Sequence, residues 1–326
     1  MQQEIIDTIL DATSATAISD VHAVQSLWSG YGEILRVSLQ GSIYPSVILK
    51  HIQLPEIANH PRGWDSDRSH QRKIRSYQVE AYWYRHYAPR CGADSPVPTC
   101  LAVQASDNET LLLLTDLDAA GFDDRKQAVE LADIHACLNW LAAFHATFLG
   151  SDAIGLWECG TYWHLDTRPD ELAALTDIPL REAAPHIDAV LKKSDFQTLV
   201  HGDAKLANFC FATIGGTPRV AAVDFQYVGA GCGMKDVAYF IGSCLDEAQC
   251  AALETPLLDY YFGALGTHAR LRHPAIDHRA LEAQWRELYD VAWADFHRFV
   301  KGWSPGHWKI NSYSEQLARR VIRRLS

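Results

Sequence analysis

Asp203, Lys205, Asn208 and Asp224 stand close enough in the chain, and in the right order, to do chemistry together. The first three lie in Leu199-Val-His-Gly-Asp-Ala-Lys-Leu-Ala-Asn-Phe-Cys-Phe211, and Asp224 closes the run Val220-Ala-Ala-Val-Asp-Phe-Gln226. Moving the γ-phosphoryl group of ATP to a hydroxyl needs a carboxylate that orients and deprotonates the hydroxyl, plus oxygen ligands that hold magnesium on the phosphates. Asp203 suits the first task. Asn208 and Asp224 suit the second, because Mg2+ takes hard oxygen ligands and keeps several of its waters. Lys205 brings positive charge to the transferring group. Thr198-Leu-Val200 and Val220-Ala-Ala-Val223 are short apolar runs, expected as neighbouring buried strands that deliver Asp203 and Asp224 side by side. Either aspartate alone would read as a turn former or a strand end. The spaced set of four favours the chemical reading.

His201-Gly-Asp203 with Asn208, and Asp224-Phe-Gln226, resemble the catalytic and metal loops of the aminoglycoside phosphotransferase and choline kinase superfamily. The wording His-Gly-Asp-Ala-Lys-Leu-Ala-Asn-Phe, with Lys205 where many aminoglycoside kinases have His, is closer to the ecdysteroid-kinase-like branch. Gln226 stands where protein kinases carry the Gly of Asp-Phe-Gly, and Gly202 where they usually have Arg, so a phosphorylation-controlled activation segment is not implied. The resemblance implies an α+β, bilobal, protein-kinase-like fold. Its small N-terminal lobe (1–115) would hold an antiparallel sheet with one main helix and bind the nucleotide. A hinge (116–121) would lead to a larger, mostly helical catalytic and substrate-binding lobe (122–326). ATP and Mg2+ are implied as cofactors, and a small-molecule alcohol as the acceptor.

The elements that would position these residues are visible upstream. Val24 to Trp28, Ile34 to Leu39 and Ser46 to Ile52 read as three strands, with Gly30 and Gly32 at the first turn. Ser29-Gly-Tyr-Gly32 is the candidate phosphate-covering loop, although two glycines suit an ordinary hairpin equally well. Lys50 is more telling, because an ammonium inside an apolar strand must be neutralised by a partner. Glu80 is the natural one. It borders the inward face of a helix expected over Asp67 to Tyr87, on which Tyr77, Ala81, Tyr84 and Ala88 share a side. In kinases such a pair orients the lysine on the α and β phosphates. The apolar run Thr110 to Leu114 is expected as the last strand before the hinge. There the resemblance implies adenine recognition by backbone groups around Asp116 and Leu117, with the Asp116 side chain shaping the turn.

A chain of 326 residues exceeds the usual single core, which agrees with two lobes. Its formal charge of −11 argues against nucleic-acid binding, which needs a basic surface. A cleft sharing that acidity would suit a cationic or neutral alcohol. The eight cysteines form no C-x-x-C pair or dense framework, so reduced thiols are expected. With no basic and apolar leader and no run of eighteen apolar residues, a cytoplasmic protein with no membrane partner is expected.

Other constellations have plainer readings. His135 and His145 sit on a helix expected over Arg125 to Leu149, ten residues and therefore about 80° apart, and read as packed or hydrogen-bonded core residues. Gly229-Ala-Gly-Cys-Gly233 lacks a dinucleotide fingerprint and is expected as a flexible segment past which the acceptor could approach. Asp236 begins a helical pattern and, by resemblance, supports the catalytic loop. The second half of the chain is aromatic-rich: Tyr289, Trp293 and Phe296 share a helical face that reads as core. Aromatic faces beside Asp295 could instead hold a quaternary ammonium or line a pocket for a flat, apolar alcohol. Two rival functions remain. A protein kinase is disfavoured because no Ala-Pro-Glu segment follows Gln226. A nucleotide-binding pseudokinase is disfavoured because Lys50, Glu80, Asp203, Asn208 and Asp224 are all present.

Overall fold

The computed structural model describes residues 1–27, 30–53, 67–106 and 108–325. Five strands, β1 (Ala17–Ser26), β2 (Gly32–Gln40), β3 (Ser46–Gln53), β4 (Cys100–Ala105) and β5 (Glu109–Thr115), form an antiparallel sheet in the order β1-β2-β3-β5-β4. Successive side chains point to opposite faces. Leu35, Val37, Val47, Leu49, Leu111 and Leu113 pack on one side with Ile5 and Ile9 of α1 (Gln3–Thr13). Ile34, Ile48, Lys50 and Leu114 line a cleft on the other. Beside it lies α2 (Asp67–His86), which matches the expected helix to within one residue.

Neither α1, nor β1 before Val24, nor β4 is among the sequence expectations. β1 is an edge strand that exposes most of its residues, so the alternation that marks a half-buried strand is missing. Trp28, the expected end of that strand, and Ser29 of the expected loop lie outside the described residues.

The remainder is mostly helical: α3 (Leu131–Phe148), α4 (Pro169–Ala174), α5 (Ile178–Lys192), α6 (Met234–Cys244), α7 (Glu247–Arg272), α8 (His278–Trp303) and α9 (Ser312–Leu325). One continuous apolar core joins α2 to this part through Trp83, Trp140, Phe144, Phe225 and Trp285. α3 begins six residues later than expected. Glu130 and Asp133 form a reciprocal capping box there, and the preceding Asp124 is engaged in backbone bonds with Phe211.

Four short strands carry the central loops. β6 (Thr198–Val200) pairs with β9 (Gly229–Gly231), and β7 (Phe209–Ile214) pairs with β8 (Thr217–Ala222). Two expectations are corrected here. The runs leading to Asp203 and Asp224 are not neighbours in one ladder, and the Gly229 segment is a buried strand whose backbone also bonds to Trp157. All eight cysteines are free. Among the described residues no helix is long and apolar enough to cross a membrane.

Candidate active site

The loop after β6 is held from behind by one carboxylate. Asp236, fully buried near the start of α6, accepts the backbone N–H of His201 at 2.6 Å and of Gly202 at 3.0 Å, and bonds His145 Nε2 at 3.1 Å. The supporting role expected of Asp236 and the core role expected of His145 are thus one network. Gly202 turns the chain at φ +80°, and a Cβ there would stand 2.1 Å from the Tyr227 carbonyl oxygen, so only glycine fits. His201 then spans two loops: its Nε2–H donates to the Val223 carbonyl at 2.9 Å, which leaves Nδ1 to accept the Asp203 N–H at 3.3 Å. Together with the Val223 N–H to Asn208 oxygen bond at 3.0 Å, this contact brings Asp203 and Asp224 together without a shared strand ladder.

Asp203 is nine-tenths buried and surrounded by donors. Lys205 Nζ lies 2.8 Å from Oδ2, the Tyr239 hydroxyl donates to Oδ1 at 3.1 Å, and Asn208 Nδ2 donates to its carbonyl at 2.8 Å. Burial raises the Asp203 carboxyl above the ordinary aspartate value, against the pull of Lys205 and with help from the Asp224 charge. Burial acts the same way on Asp224, but Lys50, Lys205 and Lys73 outweigh it and hold Asp224 below the ordinary value. The two aspartates are therefore separated in basicity, with Asp203 the better proton acceptor.

Asp224 sits in the left-handed region at φ +69°, unusual for a non-glycine residue, and its buried Oδ1 has no hydrogen-bond partner among the described residues. Asn208, with Nδ2 turned to Asp203, is free to present its Oδ1. An orphaned carboxylate oxygen beside an amide oxygen is a donor set that fits a divalent cation with oxygen preference. Lys50 Nζ bonds Glu80 Oε2 at 2.6 Å and lies 3.9 Å from Asp224 Oδ1, so the lysine, its partner and the candidate metal ligand form one cluster. The following residue, Phe225, stacks on Trp83 of α2 with ring centroids 3.5 Å apart.

Of the remaining expected residues, Asp116 and Leu117 line the same cleft, while Gly30 and Gly32 flank Tyr31, which lines it, without lining it themselves. Gly32 opens β2 at φ +126°, where a Cβ would stand 2.0 Å from the His51 carbonyl oxygen, and Gly30 lies in the turn before it. The Asp116 side chain is held by Arg36 Nε at 2.7 Å and Ser46 Oγ at 2.7 Å and accepts the Asp118 N–H at 3.0 Å, so it shapes the turn as expected. Leu117 packs on Cys210 and Ala221. The cleft as a whole measures about 1310 Å3. One end is apolar, walled by Ile34, Ile48, Leu114, Leu117, Cys210 and Val223; the other is aromatic, walled by Tyr162, Tyr239, Phe296, Phe299 and Trp303. Asp203, Asn208 and Asp224 lie on the same cleft.

Several residues here had no signal in the sequence. Tyr239 is one turn beyond Asp236 on α6, and the i, i+3 spacing that turns both toward the loop after β6 is its only trace. Lys73 of α2 donates to Gln226 Oε1 at 2.9 Å, and burial lowers its ammonium to about 8. Beneath the aromatic end, Cys159, His164 and Asp188 place their polar atoms within 4.8 Å of one another. Lys235 Nζ lies 3.3 Å from the Cys159 sulfur and Lys192 lies 2.9 Å from Asp188, so this group is already neutralised by lysines. Asp295 does not face the cleft. It is buried on Trp163 Nε1 and Arg298, with Lys235 at 3.6 Å, which removes the anion that the quaternary-ammonium reading requires. Tyr289 and Trp293 are core, as expected.

Residues 58–274 match the profile of the phosphotransferase enzyme family (APH). The chain belongs to that family. Among curated proteins none matches it. Solved structures share the fold at low identity. An amicoumacin kinase in complex with AMP-PNP, Ca2+ and its ligand is 13% identical, with a TM-score of 0.55, covering 100% of this chain and 93% of that one. The choline kinase from Cryptosporidium parvum Iowa II is 11% identical, with a TM-score of 0.53 and coverage of 99% and 95%. A thermostable mutant of an aminoglycoside phosphotransferase, in ternary complex with ADP and hygromycin B, is 14% identical, with a TM-score of 0.51 and coverage of 98% of both chains. The bilobal α+β architecture, with an antiparallel sheet in the small lobe and a helical large lobe, is therefore that of the protein-kinase-like phosphotransferases.

Proposed function

We propose that this phosphotransferase moves the γ-phosphoryl group of ATP to a hydroxyl of a small molecule, with Mg2+ as cofactor. The observation that carries the reading is the meeting of Asp203, Asn208 and the unpartnered Asp224 Oδ1 beside the Lys50–Glu80 pair. Asp203 orients the acceptor hydroxyl and takes its proton as the oxygen bonds to the γ-phosphorus and the bridging P–O bond to ADP breaks. Lys205 places positive charge where the phosphoryl group passes. Asn208 and Asp224 hold the metal, which when bound neutralises charge on the phosphate oxygens. Lys50, fixed by Glu80, holds the α and β phosphates, and the turn bearing Gly30 and Gly32 covers them. Backbone groups of Asp116 and Leu117 receive the adenine against the apolar end of the cleft. In this reading residues 1–115 form the nucleotide lobe, 116–121 the hinge and 122–326 the catalytic lobe. Lys205 in His201-Gly-Asp-Ala-Lys205 supports a place near the ecdysteroid-kinase-like branch of the family.

ADP release and 31P NMR across a panel of alcohols test this. Asp203→Asn should lower turnover by ~10²–10⁴-fold while nucleotide affinity is retained. A wild-type protein that binds Mg-ATP yet phosphorylates no alcohol would sink the reading, and equal loss of binding and turnover in the variant would remove Asp203 from the role of base.

A further inference from the structure

The chain is acidic overall, but the described lining of its cleft is not. Among the described residues the carboxylates lining the cleft are Glu80, Asp116, Asp203 and Asp224, and the lysines and arginines there outnumber them. Glu80 is taken by Lys50 and Asp116 by Arg36, while Asp203 and Asp224 belong to the reacting centre. At the aromatic end, Glu171 behind the wall is bonded to Arg168, and Asp295 is buried on Arg298. No acid among the described residues is left there to receive an amine.

A cation is left over instead. Lys309, in the segment between α8 and α9, lines the aromatic end with its ammonium 4.6 Å from the ring centre of Tyr239, 5.3 Å from Phe296 and 5.5 Å from Trp308. Among the described residues no carboxylate, carbonyl or hydroxyl bonds its Nζ. Every other described lysine or arginine of the cleft has such a partner: Lys205 on Asp203, Arg168 on Glu171, Arg72 on the Thr167 carbonyl, Lys73 on Gln226, Lys50 on Glu80, Arg36 on Asp116, Arg125 on Asp118 and Lys126 on Asp133. Burial lowers the Lys309 ammonium to about 8 even though Asp203 is near enough to oppose the shift. A half-desolvated ammonium without a counter-ion is costly, and an incoming anion offsets that cost. Tyr239 ties the two groups together, since its hydroxyl bonds Asp203 while its ring lies under Lys309.

We infer that the acceptor is an alcohol that also carries a carboxylate: its hydroxyl meets Asp203, its carboxylate meets Lys309, and its apolar body lies among Tyr239, Phe296, Phe299 and Trp303. The inference rests on the phosphotransfer reading above. A single ammonium set among aromatic faces suits a monoanion on an apolar frame better than a polyamine or a phosphate dianion.

Matched probes test it: 4-(hydroxymethyl)benzoate, its methyl ester and 4-(hydroxymethyl)benzylamine, together with a hydroxylated sterol carboxylate and its methyl ester. Each is measured by ADP release with Mg-ATP, and by thermal shift with AMP-PNP and Mg2+. At least one acid should be used with kcat/KM about tenfold or more above its ester, as expected for a charge-assisted contact. The amine should be the poorest. Lys309→Met should erase the preference by raising KM for the acid rather than lowering kcat, and Lys309→Arg should keep it. The inference is overturned if no acid stabilises the protein, if ester or amine equals or beats acid, or if Lys309→Met raises KM for ATP instead. Failure of the phosphotransfer reading looks different: no probe would yield ADP or a phosphate ester, while thermal shifts would still rank acid against ester.

Discussion

The two ends of the cleft are built by different means. The apolar end and the candidate reacting centre rest on short-range sequence patterns locked by buried polar bonds: Asp236 under the loop after β6, Glu80 on Lys50, and His201 bridging to Val223. The aromatic end is assembled from the segment around Tyr162, α6, the last turns of α8 and the segment after it, and its rings meet edge to face and by stacking. Aromatic packing tolerates exchange of one ring for another apolar group, whereas a buried ion pair loses most of its worth when one partner goes. The difference teaches where specificity can vary: one end must keep its charges, and the other can be reshaped.

Four substitutions would break or sharpen that contrast. The largest effect is expected at the junction: Trp83→Ala, which removes the ring stacked on Phe225, should cost about 3–5 kcal/mol in a denaturant melt and lower turnover with every acceptor. Lys50→Met should lower kcat/KM for ATP by roughly 10²-fold while KM for the acceptor stays near wild type. The mirror experiment is Phe299→Leu, for which KM of the acceptor should rise by up to about tenfold with the ATP constants unchanged. A change in the ATP constants here, or in acceptor KM for Lys50→Met, would mean that the two ends are not separable.

The smallest effect concerns the buried group beneath the aromatic end. Burial alone would lower the His164 imidazole, but its bonds to Asp188 and Cys159 outweigh that and raise it to about 9. A raised histidine contributes stability that is fully present below about pH 6.5 and is lost as the pH climbs through about 9. The Tm advantage of wild type over His164→Gln should therefore shrink by a few degrees between those limits. An advantage that grows with pH would contradict the assignment.

The candidate reacting centre is legible in the sequence because each of its members bears a charge or amide that needs a reason to be buried. Asp203, Asn208 and Asp224 sit within one local pattern, and Lys50 called for a partner that Glu80, on the inward border of the expected helix, could supply. Tyr239, Lys73 and Lys309 stayed hidden because nothing in their neighbourhoods is unusual; only the tertiary packing brings them to the cleft. β9 was misread because three residues with two glycines look like loose chain, whereas their lack of bulk is what lets that strand lie against β6 and Trp157. Net charge is silent on the cleft for a related reason. The acidity of this chain lies mostly outside it, and the described lining carries the opposite sign to the total.

The attachment of α2 has a mechanical consequence. The helix is riveted to the large lobe: Arg75 bonds the carbonyls of Gly155 and Leu156, Tyr87 bonds those of Asp152 and Ile154, and Trp83 lies in the shared core. Lys50, its partner across the cleft, rides on the sheet. Any gaping of the cleft that carries the sheet away from the large lobe therefore loads the Lys50–Glu80 bond, together with the Arg85–Val103 bond and the packing of Tyr77 on Ile52 that also join α2 to the sheet. The bond is one stitch of that seam, and the work needed to part it adds to what holds the two sides of the cleft together.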